Sequence, residues 1–353
     1  MKHFFIVHSS ITWLVSKQLM ESEQLSPADC TILTDRRMPV PPGAYHIKDI
    51  TDLSLHDLKW REANQLLQLQ QQNRVRLREI DQIITSFCTN GENFQLYLPH
   101  HRDMRYWAFT THPRCERFFY IEEGTMSYWG TNPIPVIPQH LGWHWMVKRF
   151  ILNLLYDWYL LGRAPALPRN FHTNSRKYGG AYGLSKLSFP GLPNVKLLPL
   201  PFESSPEWAH VQHVLVFGPY VEFGELPQAV RLKVTQQLFN NFIKNGISTI
   251  YIKFHPTQLA HPKNLAQLKA LIATFSDRIE FIELPQSVSL ENIACSSKAN
   301  FYLITSSVAI YALLCGSRVM SYAKQVLKYH PNFQKTLDTM PKKVWEKLEF
   351  IEF

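Results

Sequence analysis

The chain of 353 residues lacks the short motifs that mark several common classes of nucleotide-binding protein. It contains no GxGxxG and no GxxxxGK[ST], the glycine-rich loops that bind dinucleotides and nucleoside triphosphates. It also contains no DxD pair, the usual carboxylate cradle for a metal ion bound to a sugar nucleotide. If a nucleotide phosphate leaves in a reaction of this protein, histidine, hydroxyl groups and helix amides must carry its charge.

Cysteine is scarce as well. The five cysteines, Cys30, Cys88, Cys115, Cys295 and Cys315, lie far apart and form no CxxC pair. The sequence therefore predicts neither a zinc site nor a disulfide framework, and a reducing compartment fits best.

No apolar run is both long enough and free enough of charge to span a membrane. The N-terminal MKHFFIVHSS breaks into polar residues before it reaches signal-peptide length, so it predicts a first buried strand. The longest apolar stretch, residues 143–161, includes Lys148, Arg149 and Asp157. We expect either a core or interdomain helix there or a helix on a membrane surface. The prediction is a cytoplasmic protein, with a peripheral contact to the inner membrane left open.

The chain is rich in apolar residues and carries an excess of positive charge. Hydrophobic residues make up 45% and charged residues 18%, which is a globular composition, and the length suits about two domains. Lys and Arg number 37 against 28 Asp and Glu, for a formal charge of +9. This balance favours anionic partners such as nucleotide phosphates, acidic glycans, nucleic acid or an anionic membrane face.

Short apolar runs alternate with helical patterns along most of the chain. Such alternation predicts parallel sheets with crossover helices, as in an open doubly wound sheet. The predicted strands are residues 4–7, 31–33, 83–87, 94–98, 117–121, 213–217, 248–254, 279–284 and 301–305, and the predicted helices are 13–20, 53–73, 227–245, 265–275 and 308–314. Residues 163–207 are rich in Pro, Gly, Ser and basic residues, so we expect little regular structure there.

These patterns predict four segments. Residues 1–165 form a first Rossmann-like domain, 166–207 a linker or flap, 208–325 a second Rossmann-like domain, and 326–353 a C-terminal helical segment.

In an open parallel sheet, ligands bind beyond the carboxyl ends of the strands. In the second half these ends are Gly218-Pro219, His255-Pro256, Leu284-Pro285 and Ser306-Ser307. A histidine at such an end could donate to, or protonate, a departing phosphate, although it could equally be structural. The two serines could hold a phosphate at a helix start or act as simple caps.

Glu122 and Glu123 end an apolar strand of the first half and precede Gly124. Adjacent side chains of a strand point to opposite sides, so at most one of these carboxylates faces a given crevice. That one is a candidate general base, and the alternative is a turn with two solvated acids.

In this order and strand-end context, Glu122-Glu123-Gly124, His255-Pro256 and Ser306-Ser307 resemble the motifs of the bacterial sialyltransferase and polysialyltransferase group. That group has a D/E-D/E-G motif in its N-terminal domain, an HP motif in its C-terminal domain and a Ser pair downstream. The resemblance spans about residues 115–320. It implies an α/β chain with the GT-B fold, in which two Rossmann-like domains have parallel sheets facing each other across a cleft.

The resemblance also implies inverting transfer of a nonulosonic acid, such as sialic acid, from a CMP-sugar to a surface glycan without a metal or other cofactor. The first domain would bind the acceptor, and the second would bind the nucleotide sugar. Glu122 would be the general base, with Glu123 as the alternative candidate. His255 would assist the departure of the phosphate. The implied donor-binding residues are Gly218, Pro256, Glu283, Pro285, Ser306 and Ser307. Lys253, two residues before His255, lies on the same face of its strand, so we expect it either to add positive charge to the donor site or to be solvated.

Two other interpretations stay open. The chain could be a GT-B enzyme with another donor, such as a Kdo, UDP- or ADP-sugar transferase. It could instead be a basic binding protein for nucleic acid or another acidic polymer. No recognised nucleic-acid module is visible, however, and we expect no nucleic-acid partner.

Overall fold

The computed structural model describes residues 1–56, 65–129, 151–163 without 152, 153 and 156, 171–338 and 340–353. The chain divides into two compact units. The first comprises Met1–Glu123 and Ser127–Pro201, and the second comprises Gly124–Met126 and Phe202–Phe353. Most of the predicted helix at 143–161 lies outside the described residues. Within the described part, no helix is long and apolar enough to cross a membrane.

The first unit is built on a seven-stranded, all-parallel sheet of order β3-β2-β1-β4-β5-β6-β7. Its elements are β1 (Lys2–Val7), α1 (Ser10–Ser22), β2 (Cys30–Thr34), β3 (His46–Asp49), α2 (Leu66–Phe87), β4 (Phe94–Leu98), α3 (Met104–Thr111), β5 (Cys115–Ile121), β6 (Tyr178–Gly183) and β7 (Val195–Leu197).

The second unit is built on a six-stranded, all-parallel sheet of order β10-β9-β8-β11-β12-β13. Its elements are β8 (His213–Phe217), α4 (Gln228–Lys244), β9 (Thr249–Phe254), α5 (Pro256–Leu259), α6 (Pro262–Ala273), β10 (Glu280–Glu283), α7 (Leu290–Ser297), β11 (Asn300–Leu303), α8 (Val308–Leu314), β12 (Arg318–Ser321), α9 (Ala323–Tyr329), α10 (Gln334–Leu337), α11 (Lys342–Trp345) and β13 (Glu349–Phe350).

Both sheets have the strand order of a Rossmann fold, in which the chain first builds outward on one side of the first strand and then on the other. The central strands are apolar throughout because both faces of the sheet are covered. In β8, Leu215 and Phe217 join one buried cluster, whereas Val214 and Val216 join another. The predicted α/β class with two Rossmann-like parallel sheets is therefore confirmed.

Two segments of the first unit differ from the prediction. Residues 83–87 are the last turns of α2 and not a strand, because Leu77, Ile80 and Ile84 form a stripe at helical spacing that packs into the core. The expectation of little regular structure at 163–207 is wrong for β6 and β7. Gly179 allows β6 to lie against the Phe119 ring, where a Cβ would come within 2.4 Å.

The C-terminal segment and the cysteines also differ from expectation. Beyond residue 326 the chain contains short helices, but it also adds the parallel strand β13 to the edge of the sheet. Cys295 and Cys315 form a disulfide, which corrects the expectation that none is present. The two cysteines are 20 positions apart in sequence and form no recognisable motif, because they meet only when α7 packs beside α8.

Candidate functional site

Three polar side chains of the first unit meet just beyond the carboxyl ends of neighbouring strands. His8 follows β1, His100 follows β4, and Glu123 follows β5. These strands are consecutive in the sheet order β1-β4-β5, and parallel strands end at the same edge. The Nε2 atom of His8 lies 2.9 Å from Oε2 of Glu123, and Nε2 of His100 lies 3.7 Å from the same oxygen.

The Glu123 carboxylate is buried, with 8% of its side-chain surface exposed. Its Oε1 atom has no hydrogen-bond partner among the described residues. Burial by itself would raise the pKa of Glu123, but the hydrogen bond with His8 and the nearby His100 and Arg36 outweigh it and lower that pKa below the ordinary value of 4.5. The carboxylate is therefore ionised at neutral pH.

Glu122, the residue before it, has a different environment. Its side chain is fully buried, and three donors of the same unit bind it. The hydroxyl of Tyr128 donates to Oε1, and the main-chain N–H of Leu184 and the hydroxyl of Ser188 donate to Oε2, each at 2.7 Å. Glu122 therefore ties the end of β5 to the segments around Tyr128 and Ser188.

His8 and His100 were missed by the sequence interpretation. Both stand directly after apolar runs, so the strand-end rule that selected His255 in the second half would have selected them too.

In the second unit, His255 follows β9 directly and caps α5, which begins at Pro256. Its main-chain N–H donates to Oε1 of Gln258 at 2.9 Å, and its Nδ1 accepts from the N–H of Thr257 at 3.2 Å. Gln258 also donates to the carbonyl of Gly218 at 3.2 Å, which links the ends of β9 and β8. Because Nδ1 is an acceptor, the neutral ring carries its proton on Nε2, from which it can donate to an anion.

Desolvation lowers the pKa of His255 below its ordinary value of 6.5, and the nearby Glu222 partly opposes this shift. The ring is therefore neutral at physiological pH. A neutral imidazole donates a hydrogen bond through its N–H and does not need to bring a full positive charge to the site.

The other predicted donor-binding residues of β9 and β10 have contacts of their own. The ammonium group of Lys253 donates to the carbonyls of Pro285 and Val288, which fixes the loop after β10. Glu283 forms an exposed ion pair with Lys269 at 2.7 Å. Lys253 is thus already engaged, and its role in binding a donor stays a prediction.

Ser306 and Ser307 lie between β11 and α8. The Oγ of Ser306 accepts from the N–H of Val308 at 3.2 Å, whereas Ser307 occupies the N-cap position without a side-chain cap. Gly124, which belongs to the same unit, has φ of +118°, and a Cβ there would lie 3.3 Å from the Cβ of Ser307. The third residue of the acidic motif therefore lies beside the serine pair.

No protein-family model matches this sequence, and no curated protein matches it. Among solved structures, the chain is similar to UDP-GlcNAc 2-epimerase from Methanocaldococcus jannaschii, with a TM-score of 0.48, 9% identity and coverage of 97% of this chain and 93% of that chain. It is similar to a glycosyltransferase from Rickettsia africae, with a TM-score of 0.40, 9% identity and coverage of 99% and 94%. It is also similar to MurG from Acinetobacter baumannii, with a TM-score of 0.40, 10% identity and coverage of 99% and 93%. At these TM-scores and identities, the similarities assign no activity to this chain.

The two adjacent acids should differ in what they contribute to stability. Glu122→Gln replaces one of two acceptor oxygens by an amide N–H₂ and removes the negative charge that strengthens all three hydrogen bonds, so we expect a loss of about 2–4 kcal/mol in the free energy of unfolding. Glu123→Gln should cost less, because Oε1 of Glu123 has no described partner to lose. Urea unfolding of both variants and the wild type at pH 7 measures the difference. Equal losses would contradict the structural role given to Glu122.

Proposed function

We propose that this protein is an inverting, metal-independent glycosyltransferase that moves a nonulosonic acid, sialic acid or a relative, from a CMP-sugar to a surface-glycan acceptor such as capsule or lipooligosaccharide. One observation carries the proposal most directly. The acidic motif ends in Glu123, a buried carboxylate that stays ionised beside two imidazoles and has one oxygen without a described partner.

Glu123 suits the role of general base better than Glu122, which reverses the order suggested by the resemblance. A base needs a lone pair that is free to take a proton from the acceptor hydroxyl. Both oxygens of Glu122 already accept hydrogen bonds from the protein. Oε1 of Glu123 accepts none among the described residues.

His255 suits the role of a hydrogen-bond donor to the leaving phosphate. Its Nδ1 is occupied by the N–H of Thr257, so the proton lies on Nε2. In the proposed step, the acceptor oxygen bonds to the anomeric carbon while Glu123 takes its proton. The bond from that carbon to the phosphate oxygen breaks, and CMP leaves with its new negative charge stabilised by Nε2–H of His255.

The donor class is tested by nucleotide binding and turnover together. CMP should raise the melting temperature of the protein, whereas UDP and ADP should not, because only a ligand of the native state stabilises it. The wild type should release CMP from CMP-sialic acid. Glu123→Gln should lower kcat about 100- to 10,000-fold while stabilisation by CMP persists.

Two results would contradict this proposal and support one of the two alternative functions. Stabilisation by UDP or ADP without CMP would assign another donor. No nucleotide effect, together with binding to an acidic polymer that weakens steeply as salt rises, would indicate a basic binding protein.

The chain offers a matched control for His255. His261 also precedes a proline, and it is the N-cap residue of α6 in the same unit. His255→Asn keeps a good capping side chain but removes the Nε2 donor, so we expect kcat/KM to fall about 100-fold or more with the fold preserved. His261→Ala should stay within about threefold of the wild type, since surface changes of this kind are usually mild. Steady-state CMP release measures both, and equal losses would contradict the role of His255.

A further inference from the structure

His8 makes a buried contact with the proposed base that the reaction step above does not explain. Its Nε2 lies 2.9 Å from Oε2 of Glu123, with 4% and 8% of the two side chains exposed. The geometry is that of a hydrogen bond to a carboxylate, which is stronger than one between neutral groups. It engages one carboxylate oxygen and leaves the other, Oε1, without a described partner.

The position of His8 is fixed by the start of α1. The main-chain N–H groups of His8 and Ser9 donate to Oγ1 of Thr12 at 3.0 and 2.9 Å. Ser9 caps the helix, and Thr12 closes a capping box with it. The junction between β1 and α1 therefore holds the imidazole at the end of the sheet.

The same three side chains also have the spacing of a metal-ligand set, since one ligand atom from each of His8, His100 and Glu123 lies within 4.8 Å of the others. The hydrogen bonding of His100 argues against that interpretation. Its Nδ1 accepts from the N–H of Arg102 at 3.1 Å, so its proton lies on Nε2, the atom nearest Glu123. A metal would need a lone pair at that nitrogen. The two imidazoles are better suited to stabilise the ionised Glu123 carboxylate.

The described charged groups that act on Glu123 come from three strand ends. His8 follows β1, His100 follows β4, and Arg36 follows β2. Of these three described groups, only His8 is within hydrogen-bond distance of the carboxylate, because His100 lies 3.7 Å away. His8 is therefore the side chain whose loss should alter both the orientation and the pKa of the Glu123 carboxyl group.

We infer that His8 is a positioning residue for Glu123, which holds Oε2 and so presents Oε1 to the acceptor hydroxyl. The inference rests on the proposed function, in which Glu123 is the base. The unsatisfied Oε1 supports it, because a buried acceptor without a donor is costly, and the acceptor hydroxyl would supply the missing hydrogen bond.

The test combines a carboxyl titration with kinetics in the full chain. Infrared difference spectra identify the Glu123 carboxyl band as the one that Glu123→Gln removes. In His8→Ala we expect the pKa of Glu123 to rise by about one unit or more, which is a tenfold change in its ionisation constant. The acid limb of the kcat profile should move with it. We expect kcat to fall about 10- to 100-fold and KM to change less than about twofold.

Two further variants make the test specific. In His8→Gln, an amide N–H can occupy the place of Nε2, so both the pKa and kcat should recover in part. In His46→Gln, the same substitution is made at an exposed residue of β3, and neither quantity should change.

The inference is overturned if the pKa of Glu123 and the acid limb stay at their wild-type positions in His8→Ala, whatever happens to stability. It is also overturned if His8→Gln recovers nothing in a folded protein. Failure of the proposed function has a separate signature, because a wild type that transfers from no donor still allows the carboxyl titration of His8→Ala.

Discussion

The parallel direction of all strands is the constraint on which the rest of this structure depends. It brings the carboxyl ends of the strands of each sheet to one edge. In the first unit, that edge collects His8, His100 and Glu123 from strands far apart in sequence. In the second unit, the end of β9 presents His255 beside the end of β8.

The two adjacent acids show how one local pattern can serve two physical roles. Both carboxylate oxygens of Glu122 accept hydrogen bonds from the protein. These bonds connect segments that are about 60 residues apart in sequence. Glu123 faces imidazoles instead, which keep it ionised despite burial. The backbone geometry of a strand makes this division natural, because neighbouring side chains point to opposite sides. A buried structural acid thus supports the segment that carries a chemically available one.

Much of the fold could be predicted because central strands of a covered parallel sheet are short, continuous apolar runs, as in β8 and β9. The exposed edge strand β3 could not be, because its sequence HIKD carries no such run and all four residues are exposed. Strand β6 could not be predicted either, because its glycines do not form an apolar run. Gly179 is needed there because the backbone packs closely against Phe119. Residues 83–87 look like a strand only when the helical stripe that starts at Leu77 is ignored.

The location of the candidate site could be predicted from the sequence, but the role of each residue in it could not. The strand ends singled out Glu122, Glu123 and His255 and, applied evenly, would have added His8 and His100. The choice between the two acids could not be made from sequence, because it depends on Tyr128, Leu184 and Ser188, whose approach to Glu122 is set by tertiary packing. For the same reason, the pairing of Cys295 with Cys315 left no local signal.

The central claim is that the nucleotide binds at the carboxyl edge of the second sheet. Amide hydrogen exchange with and without CMP tests it most directly, because the same sheet has a cavity of about 420 Å³ at its opposite edge, lined by His210, His213, Tyr251 and Glu280 among others. The account predicts that CMP slows exchange at residues 254–258 and 305–309. Protection confined to residues 210–213 and 246–249, or no protection in the second unit, would contradict it.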